Sequence, residues 1–374
     1  MMKKTALAAL IALSAIPLCA EPPNIGMLQA YAAKALTKCP DGKITLQPIN
    51  EPGPAGFIAF ELTETSSDPT CGRHTILLFS PSSNQILTGS VIALPPDNRT
   101  AEARIADTAS GILKQTLTAT VNAFPLPDAL RAVSMTRQTQ WGPFSYHGFL
   151  DASGRFLVVG SRGNLYIDPS TTLLESIGIE NAVRRGNPSS KVKIIEISDF
   201  ECPTCGRAHK EVEPLIEKNL SKVDYYRLDL PLFEHHEWAL PAAMGARAIQ
   251  RVAPAKYWSY VNFVFANQEA IGKAGSFDKT LQNFCEDNDI DWARVEKIYR
   301  SQPDRTALLE QVSRAFDVGV NSTPTYIING QMIGYGPSGT FSMSAIRNAL
   351  GVPEPPPKKL AKKPEEKKPA KNQR

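Results

Sequence analysis

The sequence predicts an α/β fold with a helical insertion in its second half, preceded by a separate α+β domain. Three observations carry this. From Lys191 a strand pattern, KVKIIEISDF, runs straight into an amphipathic helical one, CPTCGRAHKEVEPLIEKNL. A second strand, KVDYYRLDLPL, is followed by nearly unbroken helical periodicity over residues 234–318. TPTYIING and QMIGYG then read as a strand pair, and SMSAIRNALG as a closing helix.

The chain opens with MMKKTALAALIALSAIPLCA: a basic start, an apolar run too short for a comfortable membrane span, and a small residue at Ala20. Residues 1–20 have the layout of a secretory signal peptide, and the bulky Leu18 is the feature that favours an uncleaved anchor instead. The Lys-Lys start looks bacterial. No later stretch approaches about 18 consecutive apolar residues, so the mature chain is expected to be soluble and periplasmic. Residues 21–185 form the α+β domain. GMLQAYAAKALTK is helical, and KITLQ, GFIAFELTE, HTILLFS, QILTGSVIAL, RFLVVGS and NLYID are strand-like. A helical stretch is expected near 101–121 and another near 170–183. RRGNPSS at 184–190 marks the boundary to the second domain, 186–351. The rest, 352–374, is a Lys/Pro-rich tail that cannot bury enough apolar surface to fold.

Charge excludes one class. From Val352 onward the tail carries eight Lys/Arg against three Glu, and Lys3 and Lys4 add two more positive charges. Residues 21–351 are left with a net charge of −3, so no nucleic-acid partner is expected for the core.

After cleavage five cysteines remain: Cys39, Cys71, Cys202, Cys205 and Cys285. Cys202 and Cys205 flank Pro203-Thr204 where strand turns into helix. Zinc would need a second paired motif, and none exists. A disulfide across so small a loop would constrain little of the unfolded chain. A dithiol/disulfide couple has a mechanism there. The helix start, with its unpaired N–H groups, stabilises a Cys202 thiolate, and Cys205 lies one turn further in, able to resolve a mixed disulfide. Pro203 at the first helical position costs no hydrogen bond. No metal and no cofactor is expected. Cys39 and Cys71 flank the early strands and are expected to form a structural disulfide. Cys285 reads as a buried, inert thiol. His235-His236-Glu237 suits a surface turn or cap better than a metal site.

Residues 191–351 resemble the DsbA family of exported thiol–disulfide oxidoreductases, which have a thioredoxin-like fold with an inserted helical domain. The matching segments are IIEISDFECPTC, LPLFEHHEWALPAAMGARA, YWSYVNFVFANQ and GVNSTPTYIING. The resemblance implies that Cys202 is the exposed nucleophile and Cys205 its buried partner. It also implies that Thr323-Pro324 is a cis-proline pair whose loop binds substrate peptide. Glu196, on the first strand, matches the family's buried acidic residue, which handles the Cys205 proton. In one respect the chain departs from the pattern. Strongly oxidising members carry His between the cysteines, and here a neutral Thr204 stands instead. The couple is therefore expected nearer −180 to −230 mV, in order of magnitude, than the roughly −120 mV extreme. FLDASGRFLVVGSRGNLYIDP is similar to the dimerisation domain of periplasmic disulfide isomerases, which points to a homodimer through residues 21–185.

The function expected is a periplasmic oxidoreductase, oxidase-like or isomerase-like, exchanging disulfides with cysteine-containing secreted proteins. A membrane redox partner would reoxidise or reduce the pair. The reading from a different class is a non-catalytic envelope binding or scaffolding protein with a regulatory dithiol.

Overall fold

The computed structural model describes residues 24–36, 39, 41–67, 72–333 and 343–353. The expected signal peptide, residues 354–374 of the tail, and Cys71 lie outside the described residues.

In the amino-terminal region α1 (Ile25–Leu36) precedes β1 (Lys43–Ile49), β2 (Ile58–Thr65), β3 (Arg73–Phe79) and β4 (Gln85–Ala93). Then come α2 (Ala101–Leu113), β5 (Thr118–Pro125), β6 (Arg131–Thr139), β7 (Gly142–Leu150), β8 (Phe156–Asn164) and α3 (Pro169–Ser176). The strands make one eight-stranded sheet ordered β1-β2-β3-β4-β8-β7-β6-β5. Alternation is the cause: Ile44 and Leu46 of β1 are buried while Lys43 and Thr45 face solvent. α1 seats Leu28 and Ala32 over Phe60, Leu62 and Leu77 on one half of the sheet. α2 seats Ile105 and Ala109 over Val133, Met135 and Leu157 on the other.

Several boundaries differ from the sequence reading, each for a local reason. The helix expected to reach residue 121 stops at Leu113, where Lys114 turns left-handed and its N–H caps the Ser110 carbonyl. The β-branched run Thr118–Val121 then enters β5. NLYID is no strand, because the Asn164 side chain accepts from the Tyr166 N–H at 3.0 Å and turns the chain. The helix expected over 170–183 ends at Ser176, and Gly178, at φ 69°, separates it from a single 3₁₀ turn. β6 and β7 went unread because β6 buries little beyond Val133 and Met135.

The second sheet is built from β9 (Val183–Gly186), β10 (Val192–Ser198), β11 (Val223–Asp229), β12 (Thr325–Ile328) and β13 (Gln331–Ile333), ordered β13-β12-β10-β11-β9. The boundary drawn at 185/186 falls inside β9, which pairs antiparallel with β11, so the second domain begins before Val183. β10 lies centrally, parallel to β11 and antiparallel to β12. Buried on both faces, it needs the near-continuous apolar run VKIIEIS. α4 (Pro203–Glu217) follows β10. Between β11 and β12 the insertion supplies α5 (Ala239–Val252), α6 (Tyr257–Ala266), α7 (Gln268–Ala274), α8 (Phe277–Asp287), α9 (Trp292–Ser301) and α10 (Arg305–Asp317). α11 (Met343–Leu350) closes the fold, burying Ile346 and Leu350.

The amino-terminal region has its own sheet and cores, yet it is docked firmly. β7 lies along α10, where Ser313 Oγ donates to the Ser145 carbonyl at 2.5 Å and His147 Nδ1 meets Asp317 Oδ2 at 2.8 Å. Phe144 packs edge-on against Phe233 at 5.4 Å, and Arg137 pairs with Glu234. Phe144 belongs to the same buried cluster as Ile197, Cys205 and Leu228, so one core spans both regions.

The centre of the eight-stranded sheet imposes one sharp sequence constraint. Gly89 and Gly160 face each other across β4 and β8, at φ 139° and 153°. A Cβ on Gly89 would lie 2.2 Å from the Val159 carbonyl oxygen. Gly89→Ala is expected to destabilise the protein by at least about 1–3 kcal/mol. A lowered urea midpoint would show this, and an unchanged midpoint would contradict the packing described.

Candidate active site

β10 ends at Ser198, and the Asp199 side chain turns the chain by accepting the Glu201 N–H at 2.8 Å. Cys202 follows as the N-cap of α4, with no side-chain cap bond, and Pro203 occupies the first turn. The first N–H groups of the helix are therefore left for the sulfur. The preceding loop is clamped from the insertion: Gln268 Nε2 donates to the Phe200 carbonyl at 2.8 Å and the Cys202 carbonyl at 3.0 Å. Gly206 makes room for that clamp, since a Cβ there would lie 2.0 Å from Gln268 Oε1.

The two sulfurs share one helical turn but not one environment. Cys202 and Cys205 are both free thiols here. Cys202 is 7% exposed and Cys205 1%. Cys202 is thus more enclosed than the exposed nucleophile expected, because the loop before β12 lies against it. In that loop Thr323-Pro324 is a cis peptide, and Cys202 Sγ lies 3.5 Å from the Thr323 carbonyl oxygen. The Cys202 thiol is brought down to about 5, chiefly by the hydrogen bond from the Cys205 thiol. Partial burial opposes this, while the Thr323 hydroxyl and the N–H groups of Cys205 and Thr204 add to it. The buried Thr323 hydroxyl makes no hydrogen bond among the described residues, which leaves it available to the thiolate. Burial pushes Cys205 the opposite way, well above the ordinary thiol range. Its sulfur also accepts from the Asp199 N–H, at 3.5 Å.

Beneath the pair lies a buried ionic layer. Glu196, 2% exposed, accepts from Arg227 Nη1 at 2.7 Å and from the Tyr225 hydroxyl. Arg227 also donates to Asp229 at 3.1 Å and stacks over Phe200 at 4.4 Å. Burial, the largest single influence, would neutralise Glu196, but the Arg227 guanidinium, His209 and the hydroxyls of Tyr225 and Ser198 together outweigh it and hold the carboxyl below its usual range. Glu196 is therefore an ion-paired carboxylate. Among the described residues neither of its oxygens bonds Cys205 directly, and Ser198, buried on the same face of β10, stands between them in sequence.

Sequence reasoning missed the residues around the pair. Asp199, its side chain fully buried, accepts from the Leu232 N–H at 2.8 Å and holds His236 Nδ1 at 2.7 Å. The HHE stretch expected as a surface turn thus sends His236 inward, while His235 and Glu237 stay exposed. Glu201 accepts from the Trp238 N–H at 2.6 Å. The only signal available was the two acidic residues Asp199 and Glu201 before the cysteines and the HHE stretch after the second strand. Thr204 sits at the mouth and accepts from Arg207 at 2.8 Å. Cys285 is buried away from the pair, its thiol raised to about 11 by burial. Cys39 is disulfide-bonded, and its partner lies outside the described residues. Among the described residues no group of three or more His, Cys, Asp or Glu could hold a metal ion, and no helix is long and apolar enough to cross a membrane.

These environments predict a labelling pattern. The folded Cys202 value lies below that of the unfolded thiol, so the thiolate persists as pH falls until about 5 and is lost beneath it. The alkylation rate of the reduced protein is expected to follow that midpoint, with Cys205 and Cys285 unlabelled. A midpoint near the ordinary value of about 8.5 would contradict the geometry.

Comparison with known proteins bears on the second half of the chain. Residues 179–345 match the family model described as thioredoxin. The Na(+)/H(+) antiporter NhaA 3 of Salinispora tropica is 29% identical over 43% of this chain and 23% of its own length. The chain thus spans about a quarter of the length of that antiporter. The probable disulfide bond formation protein D of Bacillus anthracis is 24% identical over 39% of this chain and 69% of its own. Among solved structures, the thiol-disulfide exchange protein alpha-DsbA2 of Wolbachia pipientis aligns at 20% identity and a TM-score of 0.40, covering 49% of this chain and 96% of that one. Residues 179–345 of this chain are therefore a thioredoxin-family domain, joined to an amino-terminal α+β region that the match does not reach.

Proposed function

We propose that the protein is an exported thiol–disulfide oxidoreductase acting on cysteines of secreted proteins. One observation carries the reading: Cys202 and Cys205 lie in one turn, the first favouring its thiolate and the second its thiol. That asymmetry is what directional thiol exchange requires. With the pair oxidised, a substrate thiolate attacks the Cys202 sulfur. The Cys202–Cys205 bond breaks, and Cys205 leaves and takes up a proton. A second substrate thiolate then attacks the substrate sulfur of the mixed disulfide and expels Cys202 as a stable thiolate. Two electrons pass from substrate to pair, and a membrane redox partner accepts them to reset it. Isomerisation starts from the reduced pair: the Cys202 thiolate attacks a substrate disulfide and releases one substrate thiolate. A different substrate thiolate then attacks the substrate sulfur of the mixed disulfide and expels Cys202, with no net transfer of electrons.

The other residues take supporting parts. The Thr323-Pro324 loop offers its backbone to substrate peptide beside Cys202. Pro203-Thr204 leaves the space between the sulfurs without charge. Glu196 can pass the Cys205 proton on but is a poor place for it to rest, because Arg227 favours the carboxylate. The disulfide at Cys39 supports an oxidising compartment, consistent with export to the periplasm. A homodimer through residues 21–185 would use an open edge of the eight-stranded sheet, β1 or β5.

Reduction of insulin by dithiothreitol tests the reading. The purified protein is expected to accelerate it, Cys202→Ser to return the rate to that without protein, and Cys205→Ser to accumulate mixed disulfides through Cys202. A wild-type rate no faster than dithiothreitol alone would favour a binding or scaffolding protein with a regulatory dithiol.

A further inference from the structure

We propose that His236, held by Asp199, is the cationic partner of the Cys202 thiolate, supplying from outside the motif the charge that Pro203-Thr204 does not. The inference rests on the oxidoreductase reading and adds a positioning residue to it, one that acts through Cys202.

Asp199 is the hub of the site. Its side chain is fully buried, and its oxygens take the Glu201 N–H, the Leu232 N–H and His236 Nδ1, at 2.7–2.8 Å. Its own N–H points at the Cys205 sulfur, at 3.5 Å. A thiolate formed at Cys202, the helix N-cap three residues after Asp199, would share this strand-to-helix junction with a buried carboxylate, which is unfavourable for two like charges. An imidazolium on Asp199 removes the conflict by making that pair neutral. Because Nδ1 is committed to Asp199, the proton that comes and goes is on Nε2, which makes no hydrogen bond among the described residues. The His236 side chain is 19% exposed, enough for that proton to exchange with water.

The charges around the ring are few and of known sign. Asp199, Glu201 and Cys202 face it from the strand-to-helix junction, and each raises its proton affinity. Glu234, His235 and Glu237 share its loop, and the Glu234 charge is taken up by Arg137 of the amino-terminal region. From the insertion, the neutral Gln268 holds the Cys202 carbonyl. The loop is fixed from two sides, by Leu232 on Asp199 and by Phe233 on Phe144, so the ring is held in place. Thiolate and imidazolium then stabilise each other, and by reciprocity each midpoint depends on the state of the other.

The test follows thiolate absorbance against pH in the reduced wild-type protein, His236→Gln and His236→Lys. His236→Gln is expected to raise the Cys202 midpoint by about one pH unit, a tenfold loss of thiolate below it. His236→Lys, which restores a cation, is expected to return the midpoint most of the way. A structural role alone would lower thermal stability in both variants without separating their midpoints. A folded His236→Gln with the wild-type midpoint would overturn the proposal and leave the oxidoreductase reading intact. A wild-type protein with no thiol titrating below the ordinary range would overturn both. Should His236→Gln fail to fold, NMR titration of the assigned His236 ring in the unaltered protein decides. Its midpoint is expected to fall when the pair is oxidised, and equal midpoints in the two states would overturn the proposal.

Discussion

Cys202 and Cys205 occupy a single helical turn, yet one sulfur lies among hydrogen-bond donors at the helix start and the other is buried deep in the core. The thiolate at Cys202 is solvated by protein: by the Cys205 thiol, the Thr323 hydroxyl and the first N–H groups of α4. Cys205 has no such shell and keeps its proton. Everything else at the site serves to maintain that difference. Gln268 fixes the carbonyls that precede the helix, Asp199 fixes the turn, and the loop ending in Pro324 closes the mouth.

The buried ionic layer lies one step deeper. Arg227 is fully buried between Glu196 and Asp229, with Phe200 and Phe265 against its guanidinium plane. Such a cluster is costly to bury, and its geometry is correspondingly specific. It ties β10 to β11 under the residue that leads into the cysteine motif. The amino-terminal region adds a further brace. β6 and β7 grip the segment after β11 through Arg137–Glu234 and Phe144–Phe233, and that segment carries His236. The two halves of the chain are thus coupled at the loop nearest the chemistry.

Legibility in the sequence followed the range of the interactions. The strand-to-helix junction at Cys202 was readable because period two changes to period 3.6 within a few residues, and Pro203 marks the first turn. Thr323-Pro324 lies 121 positions from Cys202, so only a family resemblance could place the two together. Asp199, His236 and Gln268 were not legible as a set, because their contacts bridge 37 and 66 positions and no periodicity reports them. β6 and β7 were missed for a related reason. Part of what covers β7 is α10 of the other region, and β6 buries little beyond Val133 and Met135, so neither shows a sustained alternation in its own sequence. The domain boundary shifted because β9 is a short edge strand whose pairing with β11 is decided by register rather than by composition.

The central claim is that the fold stabilises the Cys202 thiolate without a charged residue between the cysteines. Stabilising the thiolate favours the reduced pair and makes the couple oxidising. The most direct measurement is the redox potential of Cys202/Cys205 in equilibrium with glutathione. The account predicts a value in the region of about −180 to −230 mV. A value at or below about −270 mV, where reducing thioredoxins lie, would contradict it.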